Sequence, residues 1–188
     1  MISAPRPRRG SAVVAVFAVM VVAVAAALGV WWYQGRAQQG EFASAPRPCP
    51  LVSAGTADRL LGGRTEAVES LSSCSWGGAG LRADAQPVLQ VQVTRMTVDE
   101  ARDHFRRTKA EPMGKAGPMA ADLSDFGDEA FVRPRYPAGG RFTTEVHFRR
   151  SNVVVAVRYA PVEGDADQAR AGAYDAAADA AARLDRAR

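Results

Sequence analysis

From Ser11 to Tyr33 the chain runs for 23 residues without a charge, SAVVAVFAVMVVAVAAALGVWWY. As a helix rising 1.5 Å per residue this stretch reaches about 34 Å, against about 30 Å of bilayer hydrocarbon. A buried helix of a soluble domain is rarely so long and so uniformly apolar, and here the run is bounded abruptly by Arg8 and Arg9. It reads as a transmembrane signal-anchor over residues 11–33, with the lipid bilayer as its partner. Arg6, Arg8 and Arg9 precede it and Arg36 alone follows closely, so the positive-inside rule puts the N-terminus in the cytoplasm. Trp31, Trp32 and Tyr33 stand at the exit end, where amphipathic rings favour the headgroup layer, so Arg8, Arg9 and these aromatics mark the membrane interface.

The rival is a cleaved signal peptide, for which Ala25, Ala26 and Ala27 offer small residues. A signal h-region is only about 7–15 residues long, and the apolar run continues past these alanines, which favours an anchor. The residues after Arg8-Arg9 fit a twin-arginine signal poorly, and Arg47-Pro48 before Cys49 does not suit lipid attachment. Residues 1–10 form a cytoplasmic stub too short for an inward-signalling domain. The expected localisation is a single-pass membrane protein with its C-terminal domain outside the cytoplasm.

Residues 34–47 lack hydrophobic periodicity and read as a flexible linker, reaching about 20 Å as a coil. Residues 48–188 then form one extracytoplasmic domain, about 140 residues being enough for a single core. The net charge of +4 is mostly the anchor's, since Arg6, Arg8 and Arg9 leave +1 for everything after it. A nearly neutral domain with arginines interspersed among acids lacks the basic stripe of a nucleic-acid binder, and none is expected as a partner.

Cys49 and Cys74 are the only cysteines and both follow the anchor, so a disulfide in an oxidising compartment is the leading reading. Closing that loop contributes about 3.5 kcal/mol on the chain-entropy account. His104 and His147 are the only histidines and have no ligand spacing to the cysteines, so no metal is assigned.

Along the domain, Ser53 opens a short helix that Gly62-Gly63 ends. Strands are expected near 65–69 and 73–77, with a turn at Gly77 to Gly80 that lacks the lysine of a phosphate loop. Leu89, Val91 and Val93 alternate with polar residues and predict a half-buried strand. Thr97 and Glu100 form a capping box for a helix over 98–109. Residues 110–124 read as a long loop. Asp125-Phe126-Gly127 copies a kinase metal motif without the loops that give it meaning. Asp122, Asp125, Asp128 and Glu129 are oxygen donors of the kind calcium takes, but their spacing departs from an EF-hand, and the plain reading is a turn before a strand.

The alternating residues Phe142 to Phe148, the polar Arg150-Ser151-Asn152 and the run Val153 to Tyr159 predict an antiparallel hairpin. His147 shares a face with Glu145 and Arg149, where a general base can sit, yet no nucleophile is identifiable, so a sheet-face histidine is preferred. Ala166, Ala169, Ala173, Ala177, Ala180 and Leu184 recur at helical spacing and predict a C-terminal helix packed on the sheet. The order gives an α+β fold, a single transmembrane helix followed by an antiparallel sheet backed by helices.

Pro48-Cys49-Pro50-Leu51-Val52, Ser73-Cys74-Ser75-Trp76 and Phe126-Gly127-Asp128-Glu129-Ala130 resemble an actinobacterial family of small exported proteins and lipoproteins of unknown function. The resemblance covers residues 48–186 and implies a cell-envelope location and an α+β domain. It carries no catalytic residues, and a spanning helix stands here in place of a lipobox. The expected function is an envelope ligand-binding or interaction module; the other readings are an envelope enzyme acting on glycan, lipid or peptide, and an accessory subunit. No catalytic residue and no cofactor is assigned. The cysteines provide a direct test: the exported chain should label with maleimide only after reduction, and full labelling without reductant contradicts the disulfide.

Overall fold

A computed structural model describes residues 9–78, 88–111, 120–135, 142–161 and 165–187. The chain divides into two units, Met1–Gln38 and Gln39–Arg188. Helix α1 covers Arg9–Gln39, and its segment Val19–Gln39 is long and apolar enough to cross a membrane. Trp31, Trp32 and Tyr33 are exposed on it, and the Arg36 guanidinium lies 4.0 Å above the Trp32 ring, one turn away.

The helix outlasts its apolar run by six residues, Gln34 to Gln39, which the sequence reading assigns to the linker. Extending a helix that already exists needs no new nucleus, and Gln, Arg and Ala are good helix formers. The stop comes at Gly40, whose φ of 70° is left-handed. A side chain there has no room, since a Cβ on Gly40 meets Asn152 Cβ at 2.5 Å.

The rest of the supposed linker is not free either. Phe42 is buried in the domain core. Its N–H donates to Asn152 Oδ1 at 3.0 Å, and its carbonyl accepts from Asn152 Nδ2 at 2.9 Å and Arg95 Nε at 2.7 Å. The Glu41 N–H donates to Ser151 Oγ at 3.0 Å. Asn152, wholly buried, thus answers both backbone groups of one residue, as a neighbouring strand does.

Beyond Phe42 a 3-10 turn over Cys49–Leu51 leads to α2, Ala54–Leu61. The strands follow as β1 Thr65–Glu69, β2 Ser73–Gly78 and β3 Val88–Arg95. Next come α3 Val98–Ala110, β4 Ala121–Leu123 and β5 Glu129–Arg135. The hairpin β6 Thr143–Arg150 and β7 Val153–Ala160 precedes α4, Ala166–Arg186. The strands form one antiparallel sheet in the order β1-β2-β3-β7-β6-β5-β4. The α+β expectation with an antiparallel sheet is met. β4 lies inside the stretch read as loop; three residues are too few to carry a periodic signal.

One face of the sheet is apolar and largely buried. Trp76, Leu89, Val91, Val146, Phe148, Val155 and Val157 meet the alanine stripe of α4 and Ala57 and Leu61 of α2. Small residues allow close approach, and the stripe includes Gly172 and Ala176 beside those named from sequence. A Cβ on Gly172 falls 2.3 Å from the Tyr159 ring, whose hydroxyl donates to the Leu60 carbonyl at 2.8 Å. The Cys49–Cys74 disulfide fastens the 3-10 turn to β2 at this layer.

α2 is held to α4 through Ser53, its N-cap. The Ser53 N–H and hydroxyl donate to Asp179 Oδ2 at 2.8 and 2.7 Å, and Arg183 Nε reaches Oδ1 at 2.9 Å. Burial raises the Asp179 pKa, but the Ser53 and Arg183 bonds outweigh it and bring it down to about 2. A depressed carboxylate stabilises the fold above the unfolded value of about 3.9, and that contribution disappears as pH falls through the folded value. Asp179→Asn should therefore cost about 2 kcal/mol at pH 7, with the gap to the native chain closing between pH ~4 and ~2. Urea midpoints at both ends of that range read it directly.

Candidate functional site

The opposite face of the sheet is built differently. α3 covers only part of it, with Ala101 and Phe105 packed on Phe131 and Val154, and the Phe105 and Phe131 rings are 4.9 Å apart. Its start is fixed by the expected capping box, Thr97 with Glu100. The sheet register then sets a polar row beside the covered part. Arg133, Glu145, Arg158 and Gln90 are successive cross-strand partners on β5, β6, β7 and β3. Phe131, His147, Ala156 and Gln92 form the adjoining row.

Every residue from Thr143 to Arg149 is buried, so β6 has two inner faces and one of them is ionic. Glu145 sits at its centre. Its Oε2 accepts from Arg135 Nε at 2.8 Å and lies 3.3 Å from His147 Nε2. Burial pushes the carboxyl up, yet the His147 bond and the charges of Arg135, His147 and Arg158 pull it further down, leaving it below the ordinary value. The His147 ring is stacked on Phe131 at 4.7 Å between centroids and 11° between planes.

Arg133 is 1% exposed and has a structural partner: its Nη2 donates to the Thr108 carbonyl in the last turn of α3. A cation there satisfies an orphan carbonyl and the negative end of the helix dipole. Burial, with Arg135 nearby, holds its pKa down. The Nε atoms of Arg133 and Arg158 are buried without a hydrogen-bond partner among the described residues.

The acidic segment considered for calcium is engaged otherwise. Arg149 Nε meets Glu129 at 3.0 Å, and its Nη1 meets Asp128 at 3.1 Å and the Ser151 carbonyl at 2.9 Å. Asp122 pairs with Lys109, and Asp125 accepts from the Ser124 hydroxyl at 3.0 Å. Among the described residues no group of three or more histidine, cysteine and acidic side chains is arranged to hold a metal.

Gly127 explains the motif around it. Its φ is 60°, and a Cβ there lands 2.4 Å from the Arg149 carbonyl, to which the Asp128 N–H donates at 2.8 Å. Phe126 is buried beneath, in edge contact with Tyr174. The segment is therefore a seat for β6 rather than a reactive loop. A cleft of about 360 Å3 beside α3 is lined by Phe105, Arg106, Lys109, Asp122, Asp128 and Glu129; Lys109 and the three acids in it are already ion-paired.

Of the residues named from sequence, Cys49 and Cys74 are joined, and Trp31, Trp32 and Tyr33 share α1 with Arg9; Arg8 lies outside the described residues. The turn at Gly77 to Gly80 is described only for its first two residues, which end β2. His147 lies beside a buried carboxylate as a general base does, but among the described residues no hydroxyl or thiol side chain hydrogen-bonds to it. Arg133, Arg135 and Arg158 were not singled out by sequence reasoning. Their signal was present as arginines recurring at period two in strands with both faces buried.

Comparison with known protein families, with curated proteins and with solved structures returned no match.

The two ion-pair groups should differ sharply in worth. Truncating Arg149, 7% exposed, removes the Glu129 pair and one of the two arginines on Asp128, which keeps Arg150 and the Ser151 N–H, so Arg149→Met should cost about 2 kcal/mol. Lys109→Met removes a surface pair and should change stability by about 0.5 kcal/mol or less. Equal losses in chemical denaturation contradict this assignment.

Proposed function

We propose that this chain is a membrane-anchored, extracytoplasmic ligand-binding or interaction module of the cell envelope, with the polar sheet face as its working surface. The observation that carries the reading is the partly covered ionic row, in which buried guanidinium groups keep donors without partners. A domain stabilised only for its own sake is expected to match such groups or replace them with apolar ones. The apolar α1 and the Cys49–Cys74 disulfide support an anchored domain in an oxidising compartment. The arginines before α1 and its exit-end aromatics support an N-terminus in the cytoplasm. The resemblance to actinobacterial exported proteins agrees with that location.

The enzyme reading draws on the Glu145–His147 pair alone. A general base needs a proton to abstract from a positioned nucleophile or substrate. Here the pair is fixed by Phe131 stacking and Arg135, which suits a scaffold for binding.

Two measurements examine the proposal. A reporter fused after Arg188 should be active only when exported, and cytoplasmic activity overturns the topology. A photocrosslinker at Gln92, exposed beside the ionic row, should capture a cell-derived adduct that the same group at Gln168, exposed on α4, does not. Indistinguishable capture at both positions rejects the polar face as the working surface.

A further inference from the structure

The arginines of the polar face have unequal commitments. Arg135 is tied to Glu145, and Arg133 is buried under α3 against the Thr108 carbonyl. Arg158 forms no salt bridge among the described residues, although Glu145 is its partner in register, and its Nε is buried without an acceptor. A buried N–H left unmatched costs about 1–3 kcal/mol. The sheet positions around Glu145 thus hold three guanidinium groups against one carboxylate, in surroundings that water screens weakly.

From this arrangement we infer that the open part of the face binds an oxyanion, carboxylate or phosphate, gripped by Arg158 with Arg135 beside it. The inference rests on the binding-module reading and names its ligand chemistry. A guanidinium presents a planar fork of donors that two oxygens of such a group match together. Glu145, with Glu111 acting on Arg133, offsets part of the arginines' charge, and the remaining positive charge at Arg158 is left for the ligand. The neighbouring positions Gln90, Gln92, Ser73 and Ser75 carry neutral hydrogen-bonding groups, half-buried except for exposed Gln92. They suit a polar, uncharged body attached to the anionic group, and a ligand with several charges fits them less well.

The side-chain Nε–Hε resonances of arginine give a local readout in the full chain held in a non-ionic detergent. Inorganic phosphate and acetate, titrated separately, should each or singly move the Arg158 signal along a saturating curve that weakens with added salt. Response to phosphate alone, or to acetate alone, assigns the oxyanion. The Arg158 variants lack that signal and are read at the Arg135 Nε–Hε resonance, which should follow the same curve in the native chain; there Arg158→Gln should weaken binding about tenfold or more, the loss expected for one charge-assisted contact. Arg158→Lys, which keeps charge without the fork, should retain part of it. Arg102→Gln, on α3 and paired with Asp99, should leave it unchanged. A linear shift, or the same curve in Arg158→Gln as in the native chain, overturns the inference. Should neutral sugars or peptides move the Gln90 and Gln92 amides while both anions move nothing, the oxyanion claim fails and the binding reading stands. If neither class acts there, both fail.

Discussion

A sheet of seven strands has two faces to cover, and among the described residues helix covers one face and part of the other. α4 and α2 coat the apolar face over its central strands, with β1 exposed at the edge, while α3 packs on Phe131 and Val154 and holds Arg133 on the other face. What α3 leaves uncovered must still be compatible with a strand, β6, that is buried on both sides. Apolar residues there would present a sticky patch to solvent. The row that leads out from under α3 is ionic instead, Arg133, Glu145 and Arg158 across three strands, with two guanidinium groups to one carboxylate and His147 one step along. The candidate site follows from that shortage of covering helix.

The same constraint explains why the secondary motifs fall where they do. Gly127 lets the chain turn tightly against the Arg149 carbonyl, so Asp128 and Glu129 can neutralise a guanidinium that lies almost wholly inside. Gly172 lets α4 lie on the Tyr159 ring, and the Tyr159 hydroxyl then secures the end of α2. Each glycine marks a close approach that any side chain would block. The resemblance segment Phe126 to Ala130 accordingly has a structural account that requires no ligand.

Much of the architecture was legible because local signals agreed with the fold. The capping box at Thr97, the alternation of Leu89 to Val93 and the alanine spacing of α4 each report a pattern that tertiary packing did not overrule. Two elements were hidden for identifiable reasons. β4 is three residues long with an aspartate at its centre, below the length at which period two can be seen. The segment after Tyr33 has the composition of a linker, but α1 was already nucleated and ran on until Gly40. The site was legible only in fragments. Glu145, His147 and Arg149 could be placed on one face from β6 alone, whereas their partners Arg133, Arg135 and Arg158 depend on the register of three strands, which no single segment encodes.

The grip of Asn152 on Phe42 has a mechanical meaning. A pull on the N-terminal segment travels along the backbone and enters the folded domain at a residue held by the turn between β6 and β7. Those strands are interior members of the sheet, flanked on both sides by further hydrogen-bonded neighbours. A pull arriving there is shared among several ladders rather than stripping an edge strand one bond at a time. The attachment point is thus suited to keeping the domain folded when its N-terminal segment is pulled.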